Sequence, residues 1–136
     1  MEDIVYFRST IEPEAPEGPV GWTIADSLRQ VLQLSGIDVG PVKAFWDGVR
    51  FFCVVRRCRF EVAFTPYFEA KPLEWSVQVG RKGFLGLVAP APVWRPCHET
   101  LVDRLNRWLS SDERFTLIRW DSLADLKREQ RRRTSR

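Results

Sequence analysis

The stretch "FWDGVRFF", residues 45–52, decides the fold, because it predicts a tight β-hairpin with large apolar side chains on both faces. Asp47-Gly48 is a pair that type I′ turns favour, since both central positions need positive φ. Pairing around that turn places residue 46 opposite 49, 44 opposite 51 and 42 opposite 53. One face of the hairpin is expected to be core, and the sequence leaves open what covers the other.

The two faces follow from the alternation of side chains along a strand. The face expected in the core carries Val42, Ala44, Trp46, Val49, Phe51, Cys53 and Val55. The opposite face, called the second face below, carries Lys43, Phe45, Arg50, Phe52, Val54 and Arg56. Because it mixes cations with large apolar groups, the second face is the candidate partner-binding surface.

Further strands are predicted on both sides of the hairpin. Alternating apolar residues indicate strands in "DIVYFR" (3–8), at Phe60, Val62 and Phe64 up to Pro66, and at Trp75, Val77 and Val79. After "GRKG", residues 84–88 are expected to form the next strand of a hairpin. "APAPVWRP" (89–96) is expected to be a stiff connector, because it is rich in proline.

Three segments have helical spacing. The first, 23–34, has Thr23 and Asp26 as a capping arrangement and Gly36 as its stop. The second contains Leu101, Val102, Leu105, Trp108 and Leu109, and a strand of about 114–120 follows it before a last short helix. The predicted order is β-α-β-β-β-β-β-α-β-α, an α+β fold with a single antiparallel sheet and helices packed mainly on one face.

The length of 136 residues predicts one domain, residues 1–126, with a basic C-terminal tail, 127–136, that is frayed or disordered. The net charge is only +3, but the first twenty residues carry five acidic side chains against one arginine, and the end reads "KREQRRRTSR". Neither a bilayer-spanning apolar run nor a secretory signal is visible. We therefore expect a cytoplasmic protein that makes no membrane contact.

The residues that usually carry catalysis or bind metal are sparse. His98 is the single histidine, and a zinc-protease pattern would need a second one where Val102 stands. Cys53, Cys58 and Cys97 lack the close pairing of a zinc site. We therefore expect free thiols and no catalytic, cofactor or metal site.

With many aromatic residues and arginines and no catalytic set, the sequence favours a non-enzymatic protein–protein interaction module. Its partner is expected to be another protein or a second copy of the chain. By size and architecture it compares with bacterial immunity or antitoxin-like proteins and with secretion adaptors or chaperones. The alternative is a nucleic-acid-binding protein that uses the basic tail and the aromatic second face. The chain's own C-terminal helix or proline-rich N-terminal loop could also cover that face.

Overall fold

The computed structural model describes residues 3–11, 20–45, 48–69, 72–83 and 89–134. These residues form an α+β fold in the predicted order of elements. The strands are β1 (Ile4–Ser9), β2 (Asp38–Val39), β3 (Lys43–Phe45), β4 (Gly48–Val55), β5 (Cys58–Tyr67), β6 (Leu73–Lys82) and β7 (Phe115–Asp121). The helices are α1 (Trp22–Leu34), α2 (Ala91–Ser110) and α3 (Leu123–Thr134).

A single antiparallel sheet organises the described residues, in the order β2-β4-β5-β6-β1-β7, with β3 also paired to β4. Helices α1 and α2 cover one face of the sheet and contact each other there. Every second residue of the central strands enters the core with the apolar stripes of these helices. The core includes Val5, Phe7, Val49, Phe51, Phe60, Val62, Phe64, Trp75, Val77, Ile24, Leu28, Leu32, Leu101, Leu105 and Leu109.

The register of the first hairpin differs from the prediction. Phe45 pairs with Gly48, Ala44 with Val49 and Cys53 with Val39, so the predicted pairs 46/49, 44/51 and 42/53 are wrong. Residues 46 and 47 lie outside the described residues, but Gly48 belongs to β4 and does not have positive φ, so the predicted type I′ turn at Asp47-Gly48 is wrong. The observed register differs from the predicted one by two residues, and an even difference leaves each side chain on its predicted face.

The predicted core face is accordingly confirmed for β4 but not for β3. Val49, Phe51, Cys53 and Val55 are all buried. Ala44 is exposed even though it lies opposite Val49, because β3 stands at the margin of the sheet beside β4 alone. Cys53 pairs with Val39 of β2, a strand that the sequence pattern did not reveal.

Gly48 explains why the register is displaced. A Cβ atom at this position would lie directly against the Phe64 carbonyl oxygen of β5. The glycine is therefore needed as the first residue of β4, where two backbones approach closely. The sequence alone suggested a turn residue, since both roles select glycine.

The start of α1 also differs from the capping prediction. The helix begins at Trp22 after Gly21, which has φ 91° and provides no side-chain cap. Asp26 accepts hydrogen bonds from Arg29 and Gln30 instead. The predicted stop is confirmed, since Gly36 follows the helix with φ 84°.

Two predictions that rested on proline were wrong. Helix α2 begins at Ala91 within the proposed connector, with Pro90 as its N-cap. Proline is tolerated in the first turn because the amides there have no intrahelical acceptor, and the helix continues through Pro96. Likewise β5 runs past Pro66, at a point where only β6 pairs with it. The strand expected at 84–88 lies outside the described residues.

Strand β7 carries a bulge at the edge of the sheet. Tyr6 pairs with Arg119 but Arg8 pairs with Thr116, so β7 has one extra residue at this point. Leu117 lies there with φ 53° and is 70% exposed. The extra residue changes which side chains face inward, so that both Phe115 and Trp120 pack on the core.

Helix α3 includes the basic residues 127–134, and its side chains through residue 133 are exposed beyond Leu126. Its contacts with the rest of the described chain are sparse. Fraying of this helix in solution stays a prediction. None of the helices in the described part of the chain has the length and apolar composition needed to cross a bilayer.

The first prediction concerns the face assignment along β4. Phe51→Ala should lower the free energy of unfolding by about 3–5 kcal/mol, because Phe51 is completely buried. Phe52→Ala is the matched control, since Phe52 is half-buried on the opposite face and should cost clearly less. Reversible urea unfolding measures both. A loss below about 1 kcal/mol at Phe51 would contradict the assignment.

The second prediction concerns the close approach of β4 to β5. Gly48→Ala should destabilise the fold by about 1–3 kcal/mol, the usual cost of overpacking, because the new methyl group meets the Phe64 carbonyl. Gly80→Ala is the control, since a Cβ there meets nothing within 4 Å. Equal stability of the two variants in the same unfolding assay would refute the observed register.

Candidate protein-binding face

The second face brings together most of the residues predicted for it. Lys43 and Arg50 are direct cross-strand partners, and Phe45, Phe52 and Val54 extend the same face along β3 and β4. The apolar members are half-buried, so this face has an apolar centre that water still reaches.

Arg56 does not lie on the strand with the other predicted residues. It follows β4 with φ 58°, in the two-residue turn that the pairing of Val55 with Cys58 closes. Its side chain is exposed at the end of the hairpin. The second face therefore holds five of the six predicted residues, and Arg56 stands beside it.

Arginine side chains cover the aromatic rings of this face. The Arg50 guanidinium lies 5.5 Å from the centre of the Phe52 ring and 5.9 Å from that of Phe45. The Arg59 guanidinium, from the neighbouring strand β5, lies 4.6 Å from the centre of the same Phe52 ring. Such cation–π contacts contribute about 0.5–2 kcal/mol each, depending on how far the pair is desolvated. We call Phe45, Arg50, Phe52, Val54 and Arg59 the arginine–aromatic patch.

A carboxylate anchors the cations around the patch. Glu61 lies opposite Phe52, and its Oε2 is 3.4 Å from the Arg50 Nη1 and 3.6 Å from the Lys82 Nζ. Pairs of this kind at partly exposed positions contribute about 0–1 kcal/mol. The Nε of Arg50 is buried with no acceptor among the described residues. Glu61 and the two rings therefore hold Arg50 in place without satisfying all of its donors.

Three members of this surface were missed in the sequence. Arg59, Glu61 and Lys82 reach the second face because β5 and β6 pair with β4 in a fixed register. Residues 56 and 57 form a two-residue turn between β4 and β5. A turn of this length pairs Val55 with Cys58 and therefore Val54 with Arg59. A two-residue turn at this position was therefore the signal that could have identified Arg59.

A cavity of about 360 Å³ lies where β1 begins, β6 ends and α3 starts. Its walls include Asp3, Arg81, Trp94, His98, Asp125 and Arg128. The Asp3 carboxylate accepts a hydrogen bond of 2.7 Å from the Leu123 amide, and Asp125 pairs with Arg128 at 3.0 Å. Both carboxylates thus stabilise the first turns of α3, where the helix dipole favours negative charge.

His98 forms part of the cavity wall but is itself buried, with an exposed fraction of 3%. Its ring contacts the Trp94 and Phe60 rings at centroid distances of 6.0 Å. The Nε2 atom has no hydrogen-bond partner in the described part of the chain. Burial lowers the pKa of His98, although the nearby Asp3 and Glu99 carboxylates oppose the shift. The imidazole is therefore neutral at neutral pH.

The three cysteines separate into one isolated thiol and one pair. Cys53 is buried on β4, where burial raises the pKa of its thiol to about 12. Cys58 and Cys97 are buried together between β5 and α2, with their sulfur atoms near the Val93 carbonyl. All three are free thiols. Among the described residues no cluster of three or more His, Cys, Asp or Glu side chains is placed to hold a metal ion.

Comparison of the chain with protein-family models, with curated proteins and with solved structures finds no match.

The third prediction concerns the buried imidazole. Because the folded-state pKa of His98 is lowered, the unfolded chain binds more protons below the usual pKa of about 6.5. Stability should therefore fall as pH decreases from 7.5 to 5.5, by at most about 1.4 kcal/mol per pH unit for this group. His98→Gln cannot titrate, so the variant should lose less stability over the same range. Parallel pH dependences in urea unfolding would show that His98 contributes nothing to this loss.

Proposed function

We propose that the chain is a non-enzymatic protein–protein interaction module that binds its partner through the arginine–aromatic patch. The observation that carries the proposal is the arrangement of Phe52 between two guanidinium groups, at 4.6 and 5.5 Å. Aromatic residues and arginine are the types enriched at the energetic centres of protein interfaces. The rings of the patch remain half-exposed, so their burial is left for a partner to complete.

The patch also favours a partner of a particular chemistry. Lys43, Arg50, Arg59 and Lys82 lie on the same sheet face as the phenylalanines, and the Glu61 carboxylate on that face pairs with Arg50 and Lys82. A protein surface with an apolar centre and carboxylates at its rim complements this charge pattern. The cation–π contacts already restrict the arginine side chains, which reduces the conformational entropy lost on binding.

The class of partner is a further part of the proposal. Immunity or antitoxin-like proteins, which cap a toxin, and secretion adaptors or chaperones are small bacterial proteins of comparable architecture. A cytoplasmic location is consistent with three thiols that are not joined by disulfides. A second copy of the chain is the other partner that we consider.

Nucleic-acid binding is the second candidate function. One observation favours it: helix α3 carries five cations, Lys127, Arg128, Arg131, Arg132 and Arg133, against the carboxylates Asp125 and Glu129. Exposed cations on a helix can contact phosphates and release counterions. Two of the arginines are paired within the helix, Arg128 with Asp125 and Arg133 with Glu129, which weakens this candidate relative to the first.

The fourth prediction separates the two candidates. The tagged chain is used to isolate a partner from its source cells, and the purified pair is then measured by calorimetry. Phe52→Asp and Arg59→Glu should each weaken the complex by about 30-fold or more, since both remove the centre of the patch. Deletion of residues 127–136 should change Kd by less than about threefold, because that segment lies outside the patch.

Leu34→Asp is the matched control, because Leu34 is 90% exposed at the end of α1 and its replacement adds the same charge away from the patch. Circular dichroism and urea unfolding check that each variant is folded. If Arg59→Glu folds and binds as tightly as the original chain, the patch is not the binding site. If the deletion abolishes binding to RNA or DNA, and affinity falls steeply between about 50 and 200 mM salt, the nucleic-acid function replaces this one.

A further inference from the structure

The Cys58 and Cys97 thiols meet although they come from different elements. Cys58 is the first residue of β5, directly after the turn at Arg56, and Cys97 lies in the second turn of α2. The Cys58 sulfur is 4.0 Å and the Cys97 sulfur 3.6 Å from the same Val93 carbonyl oxygen. Burial, and after it the neighbouring Cys58 thiol, raises the pKa of the Cys97 thiol. The fold therefore holds two sulfur atoms side by side.

Packing alone does not require this pair. Both residues are almost fully buried, with exposed fractions of 5% for Cys58 and 2% for Cys97, and a buried thiol packs as a small apolar group. Cys53 on β4 packs in this way without a second thiol beside it. Two adjacent thiols can in addition form a covalent bond, and thiol–disulfide exchange is the reaction that connects them.

We propose that Cys58 and Cys97 are a redox modification site, which a low-molecular-weight disulfide converts to an intramolecular disulfide between the β4–β5 turn and helix α2. This inference is independent of the proposed binding function. It concerns the folded chain in its reduced form, in which both residues are free thiols.

The reaction is a two-electron oxidation of the protein by oxidised glutathione. One cysteine loses its proton, and its thiolate attacks a sulfur of the glutathione disulfide, which forms a mixed disulfide and releases one glutathione thiolate. The second cysteine, as a thiolate, then attacks the cysteine sulfur of the mixed disulfide and releases the second glutathione thiolate. Two protein thiols are oxidised, one glutathione disulfide is reduced, and the released thiolates take up the two protons.

The position of each cysteine suggests the order of these steps. Cys58 adjoins the exposed residues Arg56 and Arg57, so local opening of the turn exposes it first. Cys97 lies within a helix and then resolves the mixed disulfide. Burial raises the pKa of Cys97, while the Arg56 guanidinium lowers it, and burial is the larger effect. Oxidation of the folded chain should therefore be slow, because little thiolate is present at neutral pH.

The fifth prediction tests the pair with the folded chain in glutathione buffers of increasing oxidised fraction. After equilibration and acid quenching, the original chain should lose two of its three thiols, and peptide mapping should join Cys58 to Cys97. Cys53→Ala should form the same bond, whereas Cys58→Ser and Cys97→Ser should not. In denaturant the tendency to form this bond should fall about tenfold or more, since the fold no longer holds the two sulfurs together.

Several results would overturn the proposal. One is a folded chain that keeps all three thiols after prolonged equilibration with a large excess of oxidised glutathione. Another is a bond that involves Cys53 or joins two chains. A third is an equal tendency to form the bond in the folded and unfolded chain, because adjacency in the fold would then contribute nothing. Partner binding is measured separately, so its loss or retention has no bearing on these outcomes.

Discussion

The antiparallel pairing of β4 with β5 is the interaction on which the other features of the molecule depend. It places Phe51 beside Val62 in the core and, on the opposite face, Phe52 beside Glu61. A slip of one residue would move every apolar side chain of β4 to the opposite face, so burial of the core residues fixes this register strongly. The arginine–aromatic patch and the thiol pair both follow from it. The pairing brings Arg59 next to Val54, and it places Cys58 at the start of β5, within reach of α2.

A strand with apolar residues on both faces normally has packed layers on both sides. In the described residues no helix layer covers the second face, and arginine side chains lie over its rings instead. The same solution recurs across the sheet, where the Arg119 guanidinium of β7 lies 4.7 Å from the Tyr6 ring of β1. Guanidinium groups can shield a ring while remaining hydrated at their edges. A sheet face can therefore carry aromatic residues and still be half-exposed to water.

The sequence predicted the class and order of elements because the alternation along β4, β5 and β6 is regular and the helical stripes are long. It placed Lys43, Phe45, Arg50, Phe52 and Val54 on one face. That assignment depends on the alternation of side chains within each strand, and a register shift of two residues leaves it unchanged. The register was off by two because Gly48 satisfies both a turn and a close strand contact, and local pattern does not distinguish them. The contribution of Arg59 depends on the length of the turn between β4 and β5, whereas those of Lys82 and of the cavity around His98 depend on pairing between distant segments, which no local pattern encodes.

Both margins of the sheet are poorly shaped to accept another strand. On one side β2 has only two residues and β3 only three, so neither offers a long row of unpaired amides and carbonyls. On the other side the bulge at Leu117 interrupts the spacing of β7 in its middle. Short and irregular edges of this kind protect sheet proteins from joining edge to edge into aggregates. The edges formed by the described residues thus offer little template for polymerisation, although the sheet face beside them carries aromatic residues.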